Sequence, residues 1–163
     1  KKYKNFLSQN NILFEDAILD SGIVLSAYGL RETKDTDFLI NNHSDLDFKF
    51  DLIDNHESEL KHHVAHKLEL IYDQRNYFYF DDIKFISFSN LYYMKKNRNE
   101  DKDQNDLILM EALIESNFLK ENYAKLKRFL HYQRIKLRQR TLSILNKLGL
   151  YNIVKKIYKN IMK

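Results

Sequence analysis

The chain has 163 residues, of which 44% are hydrophobic and 31% charged, so it is long enough for one domain with a hydrophobic core. It contains no cysteine, which excludes a disulfide scaffold and any metal site built on thiolates. No apolar run approaches the roughly 18 residues that span a bilayer, and the opening residues are not those of a signal peptide. Because the chain begins with Lys1 and Lys2 rather than methionine, we expect a fragment or a processed form.

Charge is distributed unevenly along the chain. Residues 117–163 contain 13 lysines and arginines against one acid, Glu121, whereas residues 1–116 contain 14 against 22 acids. This asymmetry predicts an acidic domain over residues 1–116 and a basic tail over 117–163 that meets an anionic surface. Phospholipid, nucleic acid and the acidic domain itself are the candidate surfaces.

The first forty residues contain two predicted helices and two predicted strands. Apolar spacing indicates short helices over residues 3–9 and 12–20. Residues 22–29 are apolar and bounded by glycines, which is typical of a buried strand. After a charged turn at residues 31–34, a second strand is predicted over residues 35–40.

Further along the chain the apolar pattern alternates between strand and helix. Residues 45–50 alternate apolar and polar, which predicts a half-buried strand. Residues 56–66 indicate a polar helix, and residues 68–72 a strand. Residues 76–80 and 83–88 flank Asp81-Asp82, a spacing that predicts a hairpin with a two-residue turn.

From residue 89 onward the pattern is helical. We expect one helix from Ser89 to about residue 97 and another from Asp101 or Asp103 to Glu115. A long basic helix is predicted over residues 117–148, ended by Gly149, with a last helix over residues 150–162. The fold class that follows is α+β: a small mixed β-sheet with flanking helices, followed by a basic helical tail.

The strongest candidate for chemistry is the segment from Tyr28 to Ile40. A glycine, Gly29, precedes a charged turn with Arg31 and Lys34, and the next strand opens with Asp35 and Asp37. Residues i and i+2 of a strand face the same side, about 7 Å apart. Two carboxylates so placed can share a pair of Mg²⁺ ions, and the glycine would allow the backbone to approach a phosphate closely.

This segment resembles the nucleotidyltransferase superfamily typified by DNA polymerase β, in its small bacterial and abortive-infection-type forms. The resemblance covers roughly residues 22–116, and the run Arg31-x-Thr33-x-Asp35-x-Asp37 is its most similar part. It implies a mixed sheet of the nucleotidyltransferase type, an Mg²⁺ or Mn²⁺ cofactor and a nucleoside triphosphate donor. Leu30 departs from the family, which usually has serine or glycine after Gly29.

The resemblance also implies the roles of individual residues. The family has a third carboxylate on a later strand, for which Glu69 is the candidate, with Asp73 or Asp47 as alternatives. Catalysis and metal binding are thus expected of Asp35, Asp37 and Glu69. The residues expected to bind the nucleotide are Gly29, Arg31, Thr33, Lys34, Lys95, Arg98 and Lys102.

The last three of these residues allow two interpretations. Lys95, Arg98 and Lys102, with Asp106, are spaced to share one helix face, as a similar Lys-Arg-Lys-Asp pattern does in the family. That face would either contact a triphosphate or be paired internally. The same spacing occurs at His62 and His66, but without an HExxH motif these histidines and His63 indicate a polar helix surface. His43 and His56 form no pattern.

The basic tail suggests a partner. From Leu150 onward an apolar stripe alternates with lysines, which is typical of a helix at an anionic membrane interface. Packing on the acidic domain or dimerisation is the alternative, and nucleic acid is the least favoured partner. The tail also resembles, in composition, those of bacterial surface-polysaccharide enzymes, which would suit capsule biosynthesis.

The expected function is therefore transfer of a nucleotidyl group from a nucleoside triphosphate to a small-molecule or glycan acceptor, such as a sugar phosphate. We expect a cytoplasmic protein, peripheral at the inner membrane face if the tail binds lipid. Two alternatives remain open: a catalytically degenerate binding or scaffold module of the same fold, and a toxin-type enzyme that modifies protein or tRNA.

Overall fold

The computed structural model describes residues 2–41, 53–153 and 155–156, and this part of the chain has an α+β fold, as predicted. The strands are β1 (Ala17–Asp20), β2 (Thr36–Ile40), β3 (Ile53–Asn55), β4 (Tyr77–Phe80) and β5 (Ile83–Ile86). The α-helices are α1 (Lys2–Gln9), α2 (Gly22–Ala27), α3 (Lys67–Tyr72), α4 (Phe88–Arg98), α5 (Asp101–Ile114) and α6 (Phe118–Lys147). Short 3-10 turns cover Phe14–Asp16, Glu57–His62 and Gln74–Asn76.

The five strands form one mixed sheet in the order β3-β2-β1-β5-β4. The pairs β1–β2 and β4–β5 are antiparallel, and the pairs β1–β5 and β2–β3 are parallel. Asp37 is the register partner of Asp20 on one side and of Asp54 on the other. Because directly paired residues face the same side of a sheet, three aspartates form a row across β1, β2 and β3.

The hydrophobic core lies between this sheet and the helices packed on it. Phe38, Leu39 and Ile40 of β2 are all fully buried, so the central part of the sheet is covered on both faces. Phe6 of α1 meets Phe38 edge to face, with ring centroids 5.2 Å apart. Leu30 belongs to the same core, and its burial explains why an apolar residue stands there.

The segment from residue 12 to residue 29 differs from the prediction. The predicted helix over residues 12–20 is a 3-10 turn followed by strand β1, and the predicted strand over residues 22–29 is helix α2. Both are short, buried apolar runs, and periodicity does not separate strand from helix in such runs. Gly29 ends α2 with φ +69, and its neighbour Leu30 donates its N–H to the Leu25 carbonyl at 2.9 Å.

Two further predictions in the middle of the chain are wrong in type. The predicted strand over residues 68–72 is helix α3, which opens with a capping box between His66 and Glu69. The predicted polar helix over residues 56–66 is the 3-10 turn Glu57–His62, after which the chain is extended at His63. The polar run therefore never continues into one regular helix.

Several other predictions are confirmed. The hairpin has Asp81 and Asp82 at its tip, both with positive φ, as a two-residue type I′ turn requires. Helices α1, α5 and α6 and strand β2 agree with the prediction to within one or two residues. Helix α4 begins slightly before the predicted cap, because the side chain of Ser87 rather than Ser89 accepts the Asn90 N–H.

Some predictions fall on other parts of the chain. The predicted strand over residues 45–50, with Asp47, lies outside the described residues, as does most of the predicted helix over residues 150–162. Among the helices that are described, none combines the length and the apolar character needed to cross a bilayer. Helix α6 is long enough but carries eight lysines and arginines and one glutamate between residues 120 and 140.

Candidate active site

A cleft of about 620 Å³ lies where the ends of β1 and β2 meet helices α4, α5 and α6. Most of the predicted site residues line it, including Asp35, Asp37 and Arg31. From the sheet side and the loop before β2 the lining comes from Ser21, Arg31, Thr33, Asp35 and Asp37. From the helices it comes from Lys95, Arg98, Asp101, Lys102, Gln104, Asn105, Asp106, Lys127, Arg128, His131, Tyr132 and Ile135. We call these two sets the sheet wall and the helix wall.

The sheet wall presents two carboxylates. Asp35 is exposed just before β2, and Asp37, two residues further along the chain, is half-buried in that strand. The Ser21 side chain hydrogen-bonds to the Asp37 carboxylate. Burial raises the pKa of Asp37 above its ordinary value, an effect that the charge of His56 and the Ser21 hydrogen bond oppose and the neighbouring Asp20 and Asp35 reinforce.

Next to Asp37, on strand β1, lies the fully buried Asp20, which contacts two histidines. The Asp20 Oδ2 atom is 2.8 Å from His56 Nδ1 and 3.0 Å from His63 Nε2, and Asp20 Oδ1 accepts the Ser21 N–H at 2.6 Å. Burial alone would raise the pKa of Asp20, but the hydrogen bonds and charges of both histidines hold that pKa well below its usual range. Burial would lower the pKa of His56, yet its hydrogen bond to Asp20 and the charges of Asp20 and Asp37 raise it.

Asp20, His56 and His63 are also arranged so that they could hold a metal ion. One ligand atom from each lies within 4.8 Å of the other two. Two imidazole nitrogens and one carboxylate oxygen form a donor set typical of zinc, whereas magnesium prefers oxygen ligands. The histidine prediction is therefore wrong for His63, whose side chain is fully buried on Asp20 rather than at a polar surface.

Glu69 lies apart from the cleft. Its side chain accepts the His66 N–H at 2.9 Å in the first turn of α3, where it caps the helix. The residue that stands beside Asp37 is instead Asp54, its register partner on the edge strand β3 and an exposed side chain. The neighbouring strand thus supplies a third carboxylate to the face that carries Asp35 and Asp37.

The helix wall is built on a buried aspartate, Asp106. Arg31 contacts it with two nitrogens at 2.8 and 3.0 Å, Lys95 at 2.9 Å and Arg128 at 3.4 Å. Lys95 is only 1% exposed and also pairs with Asp103 at 3.1 Å. The Asp106 carboxylate therefore ties the loop before β2 to α4 and α6.

A second buried aspartate, Asp103, extends this network. Arg98 donates to both of its oxygens, at 2.7 and 2.8 Å, and also reaches Glu59 at 3.2 Å. Burial opposes ionisation of Asp103, but the hydrogen bond from Arg98 and the charges of Lys95 and Arg98 lower its pKa to about 2. Of the two interpretations of Lys95 and Arg98, internal pairing is the one observed.

Other basic residues remain accessible to a ligand. Lys102 is 66% exposed, and its one ion pair within the described part of the chain is with Glu100, also at the surface. Arg31 and Arg128 keep part of their guanidinium groups at the cleft, and Lys127 is exposed on α6. Lys34 lines an adjoining depression of about 630 Å³ that shares Arg31, Thr33 and Asp35 with the cleft.

Two glycines shape the loop beside the sheet wall in different ways. A Cβ atom at Gly22 would stand 2.9 Å from the side chains of both Arg31 and Thr33, so a larger residue there would displace them. A Cβ at Gly29 would meet no atom within 4 Å, and the positive φ of Gly29 is what favours glycine. Gly29 borders a depression with Ser26 and Thr33 beside the cleft.

No family model, curated protein or solved structure matches this chain. A function is therefore inferred below from the side chains that line the cleft.

Sequence reasoning missed Asp20, Ser21, His56, His63 and Asp54. A usable signal existed for the first two, because Asp20-Ser21-Gly22 ends an apolar run and precedes a second one. Asp54 and His56 alternate with apolar or neutral residues after Ile53, which is a weak strand pattern. His63 is brought to Asp20 by the turn Glu57–His62, which no local pattern indicates.

Proposed function

We propose that the chain is a metal-dependent nucleotidyltransferase that uses a nucleoside triphosphate as donor. The observation that carries this proposal is the cleft itself. Asp35 and Asp37 on the sheet wall have no lysine or arginine partner in the described part of the chain. The cleft that they line has a volume of about 620 Å³, and basic side chains line its other wall. Free carboxylates opposite cations are the arrangement that a metal-bound triphosphate needs.

The oxygen ligands fit Mg²⁺ or Mn²⁺. Asp35 and Asp37, with Asp54 on the neighbouring strand, would supply carboxylate oxygens, which these hard cations prefer. A bound metal would neutralise the charge that develops on the α-phosphate when the acceptor oxygen attacks it and pyrophosphate leaves. Within the chain, Ser21 orients the Asp37 carboxylate, and Asp20 fixes His56 beside it.

The helix wall would hold the phosphates. Lys102, Lys127 and the exposed parts of Arg31 and Arg128 are the accessible cations. Lys95 and Arg98 act through Asp106 and Asp103, which position Arg31 and the N-terminal part of α5. Lys34 and Thr33 extend the same basic surface past the end of the cleft.

The end of β1 supports the resemblance described above. In that family the strand before the two aspartates ends in glycine followed by serine or glycine. Here that strand is β1, which ends in Asp20 followed by Ser21, so Ser21 stands where the family has serine and Asp20 replaces glycine. Ser21 adopts φ 62 and ψ −133, a conformation that glycine favours.

The third carboxylate is the candidate for accepting a proton from the attacking hydroxyl group. We propose Asp54 for this role in place of Glu69, which caps α3. The acceptor we propose is a small molecule or glycan precursor such as a sugar phosphate, because the cleft is open and lined on one side by cations. A protein or tRNA acceptor, as in toxin-type enzymes, is the alternative.

Calorimetric titration of each nucleoside triphosphate in Mg²⁺ tests the proposal. We expect one nucleotide to bind, and binding to require metal. Asp35→Asn/Asp37→Asn should abolish the metal-dependent part, whereas Asp101→Asn, which removes one negative charge from the helix wall, should leave it. If no nucleotide binds, the degenerate binding or scaffold module becomes the better explanation, consistent with the internal pairing of Lys95 and Arg98.

A further inference from the structure

Helix α6 has one face that belongs to the cleft. Ala124 is fully buried against the domain, and Arg128, His131 and Ile135 line the cleft. At about 100° of rotation per residue, these four positions fall within an arc of about 60°. Lys120, one turn before Ala124, reaches Glu111 and Glu115 at 2.8 and 2.9 Å, so the start of α6 is fixed on α5.

A different face of α6 carries a stripe of large apolar residues that no described element covers. They recur every three, four or seven residues and fall within an arc of about 60°, centred roughly 135° from the cleft-facing arc. The stripe consists of Leu119, Tyr123, Leu126, Leu130, Leu137, Ile144 and Leu148, each between 56% and 79% exposed. Every residue from 129 to 141 is exposed, so this half of the helix, although His131 and Ile135 line the cleft, is not buried against the described part of the domain.

The charges beside the apolar stripe indicate its partner. No acidic residue follows Glu121, and Arg134 and Arg140 lie on opposite sides of the stripe. A second copy of this helix, parallel or antiparallel, would place lysines and arginines against lysines and arginines, a repulsive arrangement. Nucleic acid would neutralise the charge but leave the leucines in water. An anionic lipid surface satisfies both the charge and the apolar stripe.

We propose that the outward face of α6 binds an anionic phospholipid membrane, with the helix axis in the plane of the interface. The 30 residues of α6 would lie along about 45 Å of that surface. Because the opposite face of the same helix lines the cleft, binding would hold the cleft about one helix diameter, ~10 Å, from the lipid headgroups. This proposal stands on α6 alone and does not depend on the proposed transferase activity.

Vesicle co-sedimentation of the whole chain, without nucleotide, tests the proposal. We expect binding to phosphatidylcholine vesicles that contain phosphatidylglycerol, little binding to phosphatidylcholine alone, and weakening in high salt. Leu126→Gln/Leu130→Gln/Leu137→Gln should reduce binding by roughly tenfold or more, because the apolar area buried in the interface is lost. Arg134→Gln/Arg140→Gln should also weaken binding roughly tenfold or more and lessen its salt dependence.

A matched control carries the same chemical change elsewhere on the surface. Leu13→Gln/Leu68→Gln/Leu113→Gln replaces three exposed leucines outside α6 and should bind vesicles like the unaltered chain. Circular dichroism should show equal helix content in all variants, which separates lost binding from lost folding. Nucleotide titration without vesicles keeps this test distinct from that of the proposed function.

Three results would overturn the proposal. One is equal vesicle binding by the α6 leucine variant and its matched control. Another is equal binding to neutral and anionic vesicles. The third is a dimer in analytical ultracentrifugation that the α6 leucine substitutions dissociate, with no vesicle binding by the unaltered chain, because the stripe would then join two copies.

Discussion

The two walls of the cleft organise charge differently. On the sheet wall, Asp35 and Asp37 face the cleft without a lysine or arginine partner among the described residues. On the helix wall, Lys95 and Arg98 are almost fully buried and satisfied by Asp103 and Asp106. Cations paired in this way hold helices together, whereas unpaired carboxylates remain available for a ligand. Carboxylates thus stabilise helix packing on the helix wall and stay open to a ligand on the sheet wall.

The largest effect that tests this comparison is on stability. Lys95→Met should lower the free energy of unfolding by about 3–5 kcal/mol, because it leaves Asp103 and Asp106 with one fewer buried partner each. Lys96→Met, an exposed neighbour on the same helix, should change it by less than about 0.5 kcal/mol. Urea denaturation measures both. Equal stability of the two variants would mean that Lys95 is free to bind a ligand rather than structural.

On strand β3, beside the sheet wall, Asp54→Asn should reduce transferase turnover by at least roughly 100-fold with little loss of stability, because the exposed side chain is proposed to accept a proton in the reaction. Glu69→Gln should leave turnover nearly unchanged and cost about 0.5–1 kcal/mol through the weakened cap of α3. Steady-state kinetics with the nucleotide identified by titration compares the two. The reverse outcome would restore Glu69 as the third carboxylate.

The buried Asp20, His56 and His63 group behind the sheet wall should show a definite pH dependence. The pKa of Asp20 is lowered in the folded state. Its contribution to the free energy of unfolding is therefore present above about pH 4 and is lost as the pH falls below that. The pKa of His56 is raised in the folded state. Its contribution to the free energy of unfolding is therefore full below about pH 6.5 and is lost as the pH rises through the pKa of His56 in the folded protein. In a chelator, His56→Gln should cost about 1.5–3 kcal/mol at pH 5 and less at pH 9.

A metal ion bound by Asp20, His56 and His63 would instead make the stabilisation by these residues grow with pH. Metal ligands must be deprotonated, so their affinity for the metal rises with pH. Thermal melts with and without added Zn²⁺ at pH 6 and pH 8 distinguish the two cases. A metal-held group would give a Zn²⁺-dependent rise in Tm that grows with pH and disappears in His63→Gln. A hydrogen-bonded group would give none.

The smallest effect concerns Gly29. Gly29→Ala should cost about 1–2 kcal/mol, because the residue keeps a left-handed conformation, while nucleotide binding stays unchanged since the new Cβ meets open space. Gly29→Asn should cost less, because asparagine tolerates that conformation better. Denaturation and calorimetry on both variants measure the two quantities. A loss of nucleotide affinity would show that Gly29 does approach a phosphate, as the sequence led us to expect.

The fold was predictable where local signals were strong. The alternation around Asp81-Asp82 predicted the hairpin, and the long periodic stretches predicted α5 and α6. Between residues 12 and 29 two short apolar runs exchanged their types, since periodicity does not separate helix from strand in runs this short. That error shifted the strand before Asp35 by several residues and concealed Asp20 and Ser21.

The candidate site was predictable only in the part that lies in one segment. Asp35, Asp37, Arg31 and Thr33 follow one another in sequence, and the structure places them together at the cleft. Asp54, His56 and His63 come from later segments and meet Asp20 or Asp37 through strand register and a 3-10 turn. Sequence spacing alone does not show that residues of such separate segments lie close together in the fold.

The β4 edge of the sheet has a consequence for handling the protein. Strand β4 is Tyr-Phe-Tyr-Phe, pairs with β5 alone among the described strands, and leaves Tyr79 and Phe80 more than half exposed. An aromatic edge of this kind is a template on which further chains can add strands and build aggregates. Asp81 and Asp82 at the hairpin tip place two like charges beside it and act as gatekeepers against that addition. Asp81→Asn/Asp82→Asn should therefore lower the concentration at which the protein precipitates.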